Sequence, residues 1–387
     1  MRLLFLILTI LLAANARAAE VAVIRVPPGG FKASAAVDAT GALHLAYFSG
    51  PTTGGDVFYV TSRDGGATFS PPLRVNSQPG SALGGSSARG PHLALGRERR
   101  VHLLWPGSTT AQPRGPLNPA QKRDSPHNGT PLLYTRLDDA HRAFAPQQNL
   151  LRRTTALDGD SSLAADGQGR VYAVWHALPA DGSATGEAGR TVWLARSDDD
   201  GATFAEETNV LPEPTGACGC CGLTASAAAD GRLAILYRVA IESTHRGERL
   251  LLSRDRGATF TATQLDDWKL MTCPMSTGAL VPARGGFLGA WENAGRISLS
   301  PLPVQSAGSV SGSGANRKHP ALAVNSHGET LLAWTENISF GRGGDVAWQR
   351  YDAQGKPLGE PGHAASLPAH GNLAAVAFAD GRFAVIY

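Results

Sequence analysis

One pattern constrains the fold of this 387-residue chain more than any other. A short apolar strand, a polar turn containing glycine, and a second strand ending in an aromatic residue recur along its length. The second strands read Ala42-Leu43-His44-Leu45-Ala46-Tyr47, Val101-His102-Leu103-Leu104-Trp105 and Val171-Tyr172-Ala173-Val174-Trp175, and similar runs follow at 233–237, 287–291, 331–334 and 383–387. The spacing, about 45–70 residues, is that of propeller blades built from four strands. With 46 glycines, 25 prolines and only 17% charged residues, the composition also favours many short strands joined by tight turns. The expected fold is an all-β propeller of four-stranded blades. Six units are complete. A seventh pair of strands at 373–376 and 382–387, closed by residues 20–26, favours seven blades, with six as the alternative.

A second repeat sits inside the first. Ser62-Arg63-Asp64-Gly65-Gly66-Ala67-Thr68-Phe69 returns at 197–204 and 253–260, and 138–144 is a worn copy. In such a turn the Asp carboxylate accepts backbone N–H groups, glycine takes a left-handed φ, and Phe packs beneath the hairpin. Asp64, Asp199 and Asp255 are therefore expected to be structural.

The formal charge of +3 supplies no basic stripe and argues against a nucleic-acid partner. At the N-terminus, Arg2, the apolar residues 3–14 and Ala16-Arg17-Ala18 read as a signal peptide cleaved after residue 18. No apolar run is long enough to span a bilayer comfortably. The expectation is an exported monomer, periplasmic or secreted, with residues 19–387 forming one propeller domain.

Loops leading into the first strands, and loops between second and third strands, share one face of a propeller. The octet turns take the other. The functional face is thus expected to carry Lys32, Arg89, His92, Asp158, Asp160, Arg317, Lys318, His319, His370 and Asn372 on the leading loops. The loops after the second strands add His176, Arg238, Glu242, His245, Glu292 and Glu336. His44 and His102 lie within strands and read as wall residues, while His141, His327 and His363 read as surface.

Sulfur is concentrated here too. Cys218, Cys220 and Cys221 occupy one leading loop, and Met271, Cys273 and Met275 the next; apart from Met1, this is all the sulfur in the chain. Four cysteines in an exported protein allow two structural disulfides. Thiolates with thioethers instead favour a soft metal, Cu(I) above all, or thiol redox chemistry. The spacing does not match a zinc ribbon. Cys218, Cys220, Cys221 and Cys273 are the primary candidate ligands, Met271 and Met275 auxiliary ones, and His176, Arg238 and His319 candidate neighbours. A small ligand or metal ion at the propeller mouth is the expected partner; a glycan or a protein is the alternative.

The octets resemble the Asp-box of the sialidase superfamily, whose members are propellers. That resemblance implies the fold and, more remotely, glycan hydrolysis by Arg89, Arg238, Arg317, Asp160 and Glu292. Where that family carries its first substrate-gripping arginine, this chain has Phe31-Lys32-Ala33-Ser34, and lysine cannot offer the bidentate fork. Cys218-Gly219-Cys220-Cys221 with Trp268 and Cys273-Pro274 also resembles a group of exported bacterial sialidase-like propellers. In that group Arg follows the double Cys and His follows Cys-Pro, where this chain has Gly222 and Met275.

Overall fold

The computed structural model describes residues 21–387 except 87, 126, 141, 156–160, 213–215, 243, 304–307, 310–315 and 340. The proposed signal peptide, Asp158, Asp160 and His141 lie outside the described residues. Seven sheets are present, each a blade. Their first strands are Gly30–Val37, His92–Leu95, Ser161–Ala165, Thr224–Ala227, Gly278–Ala283, Arg317–Val324 and Ala374–Ala377. Each packs beside the next, and the last returns to the first, closing a ring. Seven blades, the favoured count, is the observed one.

The second strands explain why the ring must close. Leu43, Leu45 and Tyr47 enter the core shared with blade seven, while Ala46 and Phe48 enter the core shared with blade two. Blade three repeats the alternation. Val171, Ala173 and Trp175 face blade two, and Tyr172 and Val174 face blade four. A strand buried on both faces reads as a nearly continuous apolar run. Burial of the chain's apolar surface thus depends on every blade having two neighbours.

Two blades depart from four strands: blade three has five, because Thr154–Thr155 also pairs with Val171–Pro179, and blade seven has fewer. Ala374–Ala377 and Phe383–Ile386 pair antiparallel, and Val21–Ile24 joins Phe383–Ile386 in parallel. The sheet has three strands. The N-terminal strand therefore ties the first described residues to the last blade, as residues 20–26 were expected to do.

The octet turns form on the face opposite the leading loops. In the first, Ser62 Oγ donates to Asp64 Oδ1 at 2.7 Å, and the Thr68 N–H and hydroxyl donate to the same carboxylate at 2.9 and 2.5 Å. Asp199 and Asp255 repeat the arrangement with Thr203 and Thr259. The worn copy retains the bond from the Arg142 N–H to Asp138 Oδ1 at 2.7 Å. The third octet along the chain once the worn copy is counted, 197–204, does more than cap its own hairpin. Its Asp200 is buried and accepts from the Arg97 N–H at 3.0 Å and Arg100 Nε at 2.7 Å, with His102 Nε2 at 3.4 Å. That locks blade three onto blade two. His102 also bonds the Tyr134 hydroxyl at 2.7 Å, and His44 bonds Tyr59 at the same distance, so both histidines are wall residues.

Burial works against the Asp200 charge, but His102, Arg100 and the Arg97 N–H hold its carboxyl well below the usual carboxylate range. A depressed folded pKa contributes stability that is complete above the unfolded value near 3.9 and lost as pH falls toward the folded one. Asp200→Asn keeps the shape and tolerates the left-handed φ of 57°. It should cost about 2 kcal/mol at pH 7. In denaturant titrations the gap to wild type should narrow below about pH 4. Parallel stability curves from pH 7 to pH 2 would refute the ionic role.

Candidate functional site

The two sulfur-bearing loops lead into blades four and five and meet above the junction of those two blades, with Glu187 and His176 of blade three against the first loop. Backbone bonds to blade four and its neighbours fix the first loop. The Cys218 N–H donates to the Arg238 carbonyl at 3.0 Å, the Cys221 N–H to Cys218 O at 3.3 Å, and the Gly222 N–H to Ser276 O at 3.0 Å. Gly216 sits at φ 68°, and a Cβ there would press on the Ala240 carbonyl at 2.8 Å. Only glycine lets the chain turn this close to blade four. The second loop is tied by Arg246 N–H to Trp268 O at 2.7 Å and Leu270 N–H to Thr244 O at 2.8 Å. Lys318 reaches across from blade six to the Pro274 carbonyl.

This construction brings four sulfurs together. The Sγ atoms of Cys218, Cys220, Cys221 and Cys273 all lie within 4.8 Å of one another. From Cys218 the separations are 3.1 Å to Cys221, 3.6 Å to Cys273 and 3.7 Å to Cys220. Cys220 and Cys273 stand at disulfide distance, their Cα atoms 6.6 Å apart. Cys218 and Cys221 are free thiols, fully buried against Ala240. Cys220 and Cys273 are half-buried and form the open side of the cluster. Met271 turns outward and is 80% exposed, and Met275 is half-buried at φ 47°. The cysteines, rather than the thioethers, make up the sulfur core.

Around the sulfurs runs a shell of buried charge. Arg238 is buried beneath the cluster, with Glu248 at 3.4 Å and Glu292 at 3.7 Å. It also donates to the Arg246 and Glu292 carbonyls, and its guanidinium lies 5.2 Å over the Trp268 ring. Glu187 braces the first loop, accepting from the Gly219 N–H at 2.9 Å and from Arg246 Nη2 at 2.8 Å. His176 Nε2 is 3.0 Å from the Cys221 carbonyl. The Cys221 thiol hydrogen-bonds Cys218, and with Arg246 nearby this draws the Cys218 thiol down to about 7 against its burial. Burial and the Cys218 charge push Cys221 well up. Burial raises Glu248 to about 8 and moves Glu292 the same way, Arg238 opposing both.

The other expected site residues are dispersed. Arg317 pairs with Glu336 at 3.2 Å and stacks on Trp334. Arg89 is half-buried on the loop leading into blade two. His92, His319 and Asn372 line an axial cavity of about 210 Å3. His319 is buried with Thr277 Oγ1 at 3.3 Å, and burial drops its imidazole to about 3, so it is neutral. Lys32 is buried at φ 61° and donates to the Ser86 carbonyl. Burial lowers His370 as well. Glu242 is exposed, and His245 pairs with Asp267 at 3.1 Å. Of the three proposed neighbours, His176 and Arg238 reach the cysteine loops, whereas His319 belongs to the axis. Sequence reasoning overlooked Glu187, Arg246 and Glu248. The signal for Glu187 was present, because the loop after the second strand of blade three lies beside the loop leading into blade four.

No protein-family profile matches the chain, and no curated protein matches it in sequence. Solved structures do share its fold. An α-L-arabinanase of Penicillium chrysogenum aligns with a TM-score of 0.54 at 14% identity, over 87% of this chain and 98% of that one. An α-L-arabinofuranosidase of Fusarium graminearum gives 0.51 at 12% identity, over 90% and 97%. The Trypanosoma rangeli sialidase gives 0.52 at 13% identity, over 82% of this chain and 54% of its own. The β-propeller architecture is thus shared with these proteins. No helix among the described residues is long and apolar enough to cross a membrane.

If Glu187 is what braces the cysteine loop, Glu187→Ala should open it without unfolding the blade. The reduced variant should show alkylation of Cys218 and Cys221 by iodoacetamide accelerated about tenfold, for a stability loss of about 1 kcal/mol. Unchanged labelling by mass spectrometry would show that the loop is held without Glu187.

Proposed function

We propose that this propeller binds a soft metal ion, copper(I), through Cys218, Cys220, Cys221 and Cys273. The observation that carries the reading is the mutual approach of four sulfurs. A tetrahedral tetrathiolate with metal–sulfur bonds of about 2.3 Å has sulfur–sulfur edges of about 3.8 Å. Two of the Cys218 separations, 3.6 and 3.7 Å, lie close to that edge, and the third is 3.1 Å. An all-thiolate set selects copper(I), zinc or iron–sulfur clusters over hard cations. Met275 is near enough in sequence to soften the set further; Met271, exposed, takes no part. Exchange would proceed from the half-buried side formed by Cys220 and Cys273.

Thiol–disulfide exchange is the second reading, favoured by the disulfide distance between Cys220 and Cys273. In that state Cys218 lies within 3.7 Å of both paired sulfurs. Its thiolate would attack one of them, forming a mixed disulfide and releasing the other as thiolate; Cys221 would then resolve it. Glycan hydrolysis or binding is the alternative from another class, supported by the named activities of the solved propellers that share the fold. It would use Arg89, Arg238, Arg317, Asp160 and Glu292. Arg238, Glu292 and Arg317 are, however, already joined in ion pairs within the protein.

The deciding measurement is metal content and thiol count on one chelator-free sample, then anaerobic Cu(I) loading of the reduced protein. Copper near one equivalent per chain is expected, and Cys273→Ser should weaken it more than about 100-fold. Zinc retained with no copper uptake would keep the site and overturn the copper assignment. No metal uptake with oxidisable thiol pairs would transfer the site to thiol exchange. Release of sugar from aryl arabinofuranosides or sialosides would instead establish the glycosidase.

A further inference from the structure

A second cavity lies on the opposite face, among the octet turns, where blades one and two meet. Its volume is about 440 Å3, within the roughly 300–1,000 Å3 range of small-molecule pockets. Three arginines from three separate turns converge on it. Arg63 comes from the first octet, Arg99 from the hairpin between the first two strands of blade two, and Arg142 from the worn octet. Arg99 leans on Asp38 at 3.4 Å. Arg63 and Arg142 have no ion-pair partner among the described residues. Thr40 and Thr61 line one side with hydroxyls, and Pro71, Leu73 and Leu137 line another with apolar surface.

The neighbouring junction shows why this space is open. Between blades two and three, the same His–Tyr pair, His102 with Tyr134, is covered by the third octet. There Gly201 packs so closely that any side chain would collide with the Tyr134 hydroxyl, and the buried Asp200 carboxylate sits between Arg100 and His102. Protein thus fills that junction and supplies its own anion to the arginine. Between blades one and two, His44 and Tyr59 keep the same hydrogen bond, and Asp38 stands 3.4 Å from His44 Nε2. The octet above them is the worn one, and it leaves a cavity in place of a plug. Arg142 and Arg63 border that cavity, and no carboxylate of the described chain pairs with them.

We propose that this cavity binds a sugar-sized organic anion, its carboxylate or phosphate held between Arg63 and Arg142. Two guanidinium groups can each offer paired N–H donors to such an oxyanion. The threonine hydroxyls meet the hydroxyl groups of its body, and the Pro71–Leu73 side covers its apolar face. The residues of the cysteine cluster take no part, so this site stands or falls independently of the metal reading.

Titration calorimetry of the full chain with glucuronate, glucose 1-phosphate and uncharged glucose tests the proposal, and the two charged probes separate a carboxylate from a phosphate preference. At least one anion should bind, about tenfold or more tighter than glucose, and should weaken as salt is raised. The double variant R63Q/R142Q should lose that advantage by about tenfold or more, while Cys273→Ser leaves it unchanged. Both arginines sit on exposed turns; should the double variant not fold, R63Q and R142Q singly should each show a partial loss. No preference of either anion over glucose, or equal anion binding in the arginine variants, would overturn the proposal.

Discussion

The structure depends on one packing constraint: no blade can bury its own apolar surface. Along Leu43–Ser49 consecutive side chains enter two different cores, one shared with each neighbouring blade. The same holds around the ring, so each core belongs to two blades and the last must meet the first. Val21–Ile24, by pairing with Phe383–Ile386, supplies an edge to the blade that would otherwise have only two strands. Radial closure leaves only the short edges of the first strands turned to the axis, where they are protected from further pairing.

With the blades fixed, the two faces solve different problems. On the octet face each turn satisfies itself: Ser, Asp and Thr bond one another within eight residues, and few of these bonds depend on another blade. The third octet departs from this by lending Asp200 to blade two. On the leading-loop face the loops are longer and have no such internal device. Their backbone groups are met by other blades instead, as when Gly219 donates to Glu187 of blade three and Gly222 to Ser276 of the following loop. A face assembled across blades can bring together residues far apart in sequence. Cys218 and Cys273, 55 positions apart, come within 3.6 Å in this way.

The fold was legible because its determinants are local and repeated. Apolar runs ending in an aromatic marked the second strands, and the octets marked one face, which left the other for function. The meeting of the two cysteine loops followed from the same counting, since consecutive leading loops are neighbours on a propeller. The shell around the sulfurs was much less legible. Arg238 reads in sequence as a loop arginine able to orient a ligand, yet it ends the strand Leu233–Arg238, which is buried along its whole length. A guanidinium at such a place needs counter-charges, and Glu248 and Glu292 supply them from an adjacent strand and the next blade. No local signature announces those partners. Met271 misled for a related reason: spacing placed it beside Cys273, but spacing does not say which way a loop residue faces.

The charge around the sulfurs bears on what they can do. Arg246 pairs with Glu187, and Arg238 lies between Glu248 and Glu292, whose carboxyls burial raises while Arg238 opposes the rise. The described cations of this shell are therefore already engaged, and little positive charge remains to stabilise more than one buried thiolate. Cys218 can carry that one charge because Cys221 donates to it; a second at Cys221 is opposed by burial and by Cys218 itself. The cluster thus has two ways to be stable: sulfurs kept neutral as thiols or disulfide, or several thiolates gathered around a cation. Passing from the reduced thiols to metal-bound thiolates would release protons, so metal occupancy of the reduced cluster would strengthen as pH rises. Were a soft cation bound there, as proposed, it would balance the thiolates that this shell otherwise disfavours.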